Sequence, residues 1–264
     1  MPKTALITGA ASGLGYEFAK LLAKKQYNLV LVDIDECNLD VVKEELSQQY
    51  NVEVQTLIKD LSLPNVAQTI KGDLADKPID VLINNAGFGV FGRFSETDWK
   101  RESDMLHLHV VTVTHLTKLV LKDMIARGSG KIMNVSSVAA FQPGPLMAIY
   151  YASKAYMLSF SEAIANELKG SGVTVTALCP GPIDTSFQES VAEHISKDDN
   201  KNKINFNMAN AAEIANYGYQ AMMKGTTVAI PGMVNKFLSS IHRFVSRNMA
   251  AKIVRYIQEK NRAV

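Results

Sequence analysis

Three tyrosines, Tyr150, Tyr151 and Tyr156, stand around Lys154 in the stretch "IYYASKAYM", Ile149 to Met157. A phenol can give or take a proton, and a nearby ammonium lowers its pKa by stabilising phenolate. On a helix, Tyr150 and Lys154 are four residues apart, and Tyr151 and Lys154 three apart, so either pair can share a face. Spacing alone does not choose between them. A second chemical feature lies near the start of the chain, where "TGAASGLG" (Thr8 to Gly15) follows a strand-like run and opens a helix-like one. Gly9, Gly13 and Gly15 allow a sharp turn and let a pyrophosphate approach a helix amino end, whose unpaired N–H groups favour negative charge.

Asp33 ends the next strand-like run, twenty residues beyond Gly13. An acid there can accept hydrogen bonds from both ribose hydroxyls of NAD and would repel the 2′-phosphate of NADP. Neither Ser12 nor Ile34 supplies the cation that a 2′-phosphate needs, so NAD is expected over NADP. Asp60 and "NNAG" (Asn84 to Gly87) fall after the third and fourth strand-like runs, at the sheet edge where open α/β folds bind ligands.

The elements that must position these groups can be read along the chain. Short aliphatic runs at 4–8, 28–33, 52–58, 80–84, 131–136, 173–178 and 227–230 alternate with helix-period segments such as Leu14 to Lys25 and Leu39 to Gln49. Ser62 and Pro64 are placed to start another helix. Near-continuous apolar strands alternating with helices imply a parallel sheet covered on both faces. The expected fold is a doubly wound, Rossmann-type, seven-stranded parallel α/β sheet. Residues 1–232 form its single domain, and 233–264 form a basic amphipathic helical extension of it. The polar stretch 186–207 is expected to be a substrate lid.

Composition narrows the class. Of 264 residues, 47% are hydrophobic and 20% charged, which suits a globular protein with a sizeable core. Cys37 and Cys179 are expected to be free thiols, and no ligand spacing suggests a metal. No apolar run approaches membrane-spanning length, and a cytoplasmic location is expected. The net charge of +2 hides an asymmetry: Lys236 to Val264 holds seven Lys/Arg against Glu259 alone, while the remainder is acidic by four charges. An acidic body argues against a nucleic-acid partner.

Together the Gly loop, "NNAG", Ser137 placed thirteen residues before Tyr150-x-x-x-Lys154, and "PG" at Pro180–Gly181 resemble the short-chain dehydrogenase/reductase family, from about Lys3 to Gly232. The resemblance selects Tyr150 over Tyr151. It implies an NAD-linked oxidoreductase in which Tyr150 is general acid/base, Lys154 lowers its pKa and holds the ribose, and Ser137 polarises the carbonyl. It also implies cofactor contacts from Ser12, Leu14, Leu61, Asn84, Ala86, Gly87, Pro180, Gly181, Ile183 and Thr185. Ser136 would then be a neighbour at the strand end and Tyr156 a packing residue.

One departure stands out, because the position that is usually an asparagine in the helix after "NNAG" is His109. It could be a buried histidine whose backbone does the usual work, a proton relay adding a second titration, or a cause of weak catalysis. Phe88, Phe91, Phe141 and Met147 are expected substrate walls, giving an apolar ketone or secondary alcohol as substrate. The helix from Met147 to Leu168 is expected to pair subunits into a homodimer or homotetramer. In the tail, Phe237, Leu238, Ile241, Phe244 and Val245 recur at helical spacing. Such a stripe more often docks on its own domain, with contact to an anionic membrane as the second reading. Two alternatives to the NAD-linked enzyme are a catalytically weak dinucleotide-binding regulator and a membrane-associated lipid or acyl-chain reductase.

Overall fold

A computed structural model describes residues 2–75, 77–185, 187, 208–240 and 245–261. Seven strands, β1 (Thr4–Thr8), β2 (Asn28–Asp33), β3 (Val54–Ile58), β4 (Val81–Asn84), β5 (Gly130–Val135), β6 (Val173–Leu178) and β7 (Val228–Ala229), form one sheet. All pair in parallel, in the order β3-β2-β1-β4-β5-β6-β7. The chain therefore reverses direction across the sheet between β1 and β4, which opens a crevice at their carboxyl ends.

Alternation along β1 shows how both faces are filled. Ala5 and Ile7 face a core with Phe18, Leu22, Leu39 and Leu46 from helices α1 (Gly13–Lys24) and α2 (Glu36–Tyr50). Leu6 faces the other core, with Ile70 of α3 (Val66–Asp73) and Leu116 of α5 (Val113–Arg127). Such two-sided burial is why the strands read as aliphatic runs rather than as alternating patterns.

Between β4 and β5 the chain runs through α4 (Trp99–Leu106), a π-helical stretch (His107–Thr112) and α5. After β5 come a 3₁₀ turn (Val138–Phe141), α6 (Ala148–Glu167), β6 and α7 (Ala211–Met223). The last elements are α8 (Met233–Ser240) and α9 (Arg247–Asn261).

Several boundaries differ from the sequence expectation. Helix α3 starts at Val66, not near Ser62, because the Asp60 carboxylate accepts from the Ser62 N–H and hydroxyl at 2.9 and 2.6 Å and holds that segment as a turn. Helix α2 starts three residues early because the Asp35 side chain caps it by accepting from the Asn38 N–H. Within the tail, α9 docks through Ala250, Val254 and Gln258, but α8 turns Phe237 and Leu238 outward instead of packing them on the domain. The expected lid lies outside the described residues apart from Phe187, as do Ile241 and Phe244.

Candidate active site

The Gly loop joins β1 to α1 with its backbone bent into the left-handed region at Gly9, φ +67°. Gly15 is packed against that bend: a Cβ there would stand 1.8 Å from the Gly9 carbonyl oxygen. Thr8 and Asn85 lock the turn to the end of β4. The Thr8 hydroxyl oxygen accepts from the N–H groups of Asn85 and Ala86, and the Asn85 amide donates to the carbonyls of Thr8 and Gly9. Ser12, the residue before α1, makes no capping bond with its side chain, which leaves first-turn N–H groups available to an anion. The Asp33 carboxylate is fixed by N–H groups of Ala11, Ile34 and Asp35 at 2.9, 2.7 and 3.1 Å.

A buried polar relay ties the middle strands to α6. The Asn84 amide donates to the Thr117 hydroxyl and to Asn134 Oδ1, and the Asn134 amide donates to the Ser161 hydroxyl. At the end of β5, Lys154 Nζ donates to the Val135 carbonyl at 2.9 Å, while the Ser136 hydroxyl donates to the Lys154 carbonyl at 2.8 Å. The first bond holds the ammonium and the second ties the Lys154 backbone to the end of β5; the ammonium lies 5.7 Å from the Tyr150 ring centre, one helical turn away. Burial drives its pKa down from 10.5 to about 8. Ser137 begins the 3₁₀ turn, its hydroxyl oxygen accepting from the Ala139 N–H.

His109 sits in the π-helical stretch, fully buried, its ring 6.0 Å from that of Tyr150 in an edge arrangement. Such stretches commonly occur at functional sites. The Ser153 hydroxyl donates to the Tyr150 carbonyl, so its oxygen is left to accept from His109 Nδ1 at 2.9 Å. This assigns the proton to Nδ1 and a lone pair to Nε2, which is buried without a hydrogen-bond partner among the described residues. It abuts Gly87, where a Cβ would stand 2.6 Å from Nε2.

Burial, and then the Lys154 ammonium, hold the His109 pKa well below 6.5. The imidazole therefore stays neutral at and above neutral pH and adds no titration there. The linkage has one sign: stability is full above pH 6.5 and falls with acid, because only the unfolded chain readily takes the proton. Below pH 6.5, His109→Asn should lose less stability than the parent, by about 1.4 kcal/mol per pH unit until the folded histidine titrates. Urea unfolding at pH 7 and pH 5 measures this; equal losses would contradict it.

A cavity of about 910 Å³ runs along the carboxyl edge of the sheet. Gly9, Ser12, Gly13, Leu14, Asp33, Asp60, Leu61, Ala86 and Gly87 line it on the β1–β4 side. Ser137, Tyr150, Lys154, Pro180, Gly181, Ile183 and Thr185 line it on the β5–β6 side. Two anticipated contacts, Gly15 and Asn84, are not in its wall; the first packs behind the loop and the second is buried in the relay. An uncapped helix start, a fixed carboxylate and a cavity of this size together fit a dinucleotide.

Of the expected substrate walls, Phe88 and Met147 line the cavity, whereas Phe91 packs against Met147 and Phe141 packs near Cys179. Tyr151 and Phe187 are wall residues too, the latter ring 5.6 Å from that of Tyr150. Sequence reasoning also missed Arg101, whose guanidinium lies 4.9 Å over the Phe88 ring. It missed the tail's share as well: Leu238, Val254, Ile257 and Gln258 all face the cavity, and Gln258 donates to the Tyr151 hydroxyl at 2.9 Å. The amphipathic pattern of the tail was the available signal, though it did not indicate where the helix docks.

Comparison with known proteins agrees with this geometry. The chain is 32% identical over 188 residues to a very-long-chain 3-oxoacyl-CoA reductase of Mus musculus, covering 69% of this chain and 60% of that protein. The match thus spans less than two thirds of the mouse protein. Among solved structures, a short-chain dehydrogenase from Sphingobium yanoikuyae in complex with NADPH superposes with TM-score 0.79 at 28% identity, covering 97% of this chain and 96% of that one. The bulky-bulky ketone specific alcohol dehydrogenase from Comamonas testosteroni gives 0.77 at 27% identity, covering 94% of each chain. The short chain dehydrogenase profile itself matches residues 3–196, and the chain belongs to that family.

Proposed function

We propose that the protein transfers hydride between NAD(H) and an apolar ketone or secondary alcohol. The observation that carries this is the convergence of Ser137, Tyr150 and Lys154 on the cavity that also contains the Gly loop and Asp33. Bound nicotinamide would supply or accept the hydride. Tyr150 then gives a proton to the carbonyl oxygen, or takes one from the alcohol, while the adjacent ammonium of Lys154 stabilises the phenolate. The Ser137 hydroxyl, at the mouth of the 3₁₀ turn, orients and polarises the same oxygen.

Asp33 supports NAD over NADP. Among the described residues three cations line the cavity, Lys59, Arg101 and Lys154, and the one following β3, beside Asp33, is committed: Lys59 Nζ is paired with Asp73 at 2.7 Å. A 2′-phosphate there would meet the carboxylate without a free compensating charge beside it among the described residues. Like charges in contact cost several kcal/mol, so kcat/KM with NADH should exceed that with NADPH by about a hundredfold or more. Asp33→Ala should narrow the ratio chiefly by lowering KM for NADPH. Absorbance assays with both cofactors on a panel of apolar carbonyls test this, and turnover confined to NADPH would overturn it. Cofactor binding with no turnover on any carbonyl would instead support a dinucleotide-binding regulator.

The apolar substrate class follows from Phe88, Met147, Tyr151, Phe187, Leu238 and Ile257 in the wall. The mouse relative's name points to acyl chains and the Comamonas enzyme's to bulky ketones, both compatible with such a wall. A homodimer through the outer side of α6 is part of the same proposal. It is supported by the stacked Tyr156–Phe160 pair, with Tyr156 exposed and hydrogen-bonded to Thr114.

A further inference from the structure

Helix α8 is inside out. Its positions 233, 234, 237 and 238 are Met, Val, Phe and Leu, and all four are exposed, Met233 at 87% and Phe237 at 68%. The side turned to the protein carries Asn235 and Ser239, whose side chains donate to the carbonyls of Pro231 and Lys236. Burial of apolar area drives helix docking, so a helix that turns a half-buried amide and a buried hydroxyl inward and exposes its hydrocarbons is shaped for a second, apolar surface.

Helix α9 continues that surface. Ala250, Val254 and Gln258 form its docked face, while Met249, Ile253, Tyr256 and Ile257 lie along an adjoining exposed stripe, Tyr256 at 64%. Leu238 and Ile257 belong both to the exposed faces and to the wall of the cavity. The apolar platform is therefore continuous with the mouth of the site.

Charge decides what the platform meets. Lys236, Arg247, Lys252, Arg255 and Lys260 are exposed on these two helices, against the single carboxylate Glu259, which is already paired with Arg255 at 2.8 Å. A second copy of the chain would press one cationic platform on another. An anionic lipid surface takes the hydrocarbons into its acyl region and the cations among its headgroups.

We propose that α8 and α9 seat the protein on an anionic bilayer, with the cavity mouth facing the lipid. This inference goes beyond the hydride-transfer reading and does not need it. The surface is interfacial: among the described residues no helix is long and apolar enough to cross a membrane.

Flotation of the full chain with phosphatidylcholine vesicles, with and without phosphatidylglycerol, tests it. The protein should float with the anionic vesicles and be released by high salt. Two double variants at exposed positions, Phe237→Ser with Tyr256→Ser and Lys252→Glu with Lys260→Glu, should each weaken binding by about tenfold or more while leaving NADH binding and thermal unfolding unchanged. No flotation, or equal flotation of parent and variants, would overturn the proposal. So would a concentration-dependent oligomer that the serine variant dissociates without any vesicle binding, because a second copy would then be the occupant. Flotation does not depend on turnover, so a chain that binds vesicles but reduces nothing would retain this surface and lose the catalytic reading.

Discussion

Replacing Tyr150 by Phe is expected to lower kcat for carbonyl reduction by about 10³-fold, within the range attributable to a positioned proton donor. The ring would keep its place, because its surroundings hold it by shape: His109 and Tyr151 meet it edge-on, and Phe187 meets it tilted. Only the hydroxyl is lost. NADH affinity should stay within a fewfold of the parent, since the Gly loop and Asp33 lie on the other side of the crevice. A loss in kcat with cofactor binding retained separates a chemical role from a structural one. Tyr151→Phe provides the matched comparison. Its hydroxyl accepts from Gln258 and belongs to the tail contact, so that variant should alter KM for large substrates more than kcat. If Tyr150→Phe keeps most of its rate while Tyr151→Phe loses it, the assignment of the proton donor is wrong.

Much of this architecture was legible in the chain because burial on both faces leaves a strong mark. A strand such as Thr4–Thr8, with every residue buried, can only be built from a run of small and aliphatic residues. The Gly loop and the Tyr150–Lys154 pair were legible for a related reason, since each is local in sequence and chemically unusual. What escaped was non-local or geometrically subtle. The π-helical stretch adds no change to the hydrophobic pattern, yet it sets the position of His109 beside Tyr150. Gln258 meets Tyr151 across 107 residues of sequence, a pairing that no periodicity announces. Asn84 looked like a ligand contact because of its position at a strand end. Only the structure shows its amide committed to Thr117 and Asn134. The amphipathic pattern of the tail does not say which face points inward: at α8 Asn235 and Ser239 turn toward the protein while Phe237 and Leu238 are exposed.

Lys154→Met should abolish activity and at the same time make the protein less dependent on alkaline pH for its stability. The activity loss, about 10³-fold, follows from removing the charge that makes phenolate accessible near neutral pH. The stability effect follows from the buried ammonium, whose folded pKa of about 8 lies below the ordinary 10.5. Above about pH 10.5 both folded and unfolded lysines are neutral and burial costs no protonation energy. As pH falls from there to about 8, the unfolded chain takes up a proton that the folded protein resists, so stability drops, by about 3 kcal/mol in all. Below about pH 8 both forms are charged and the penalty stays constant. Methionine is similar in length and never charged, so the variant avoids this penalty, although it gives up the hydrogen bond to the Val135 carbonyl at every pH. Parent and variant should therefore differ in their response: between pH 7 and pH 10 the parent gains about 2 to 3 kcal/mol relative to the variant. Denaturant unfolding at the two pH values measures the difference directly. An unchanged difference would mean that the ammonium is not strained by burial. An active Lys154→Met enzyme would remove the cation from the chemistry altogether. Both expected results together would show that the ammonium whose burial lowers stability near neutral pH is the same charge that stands beside the phenol, a trade between stability and activity located in one side chain.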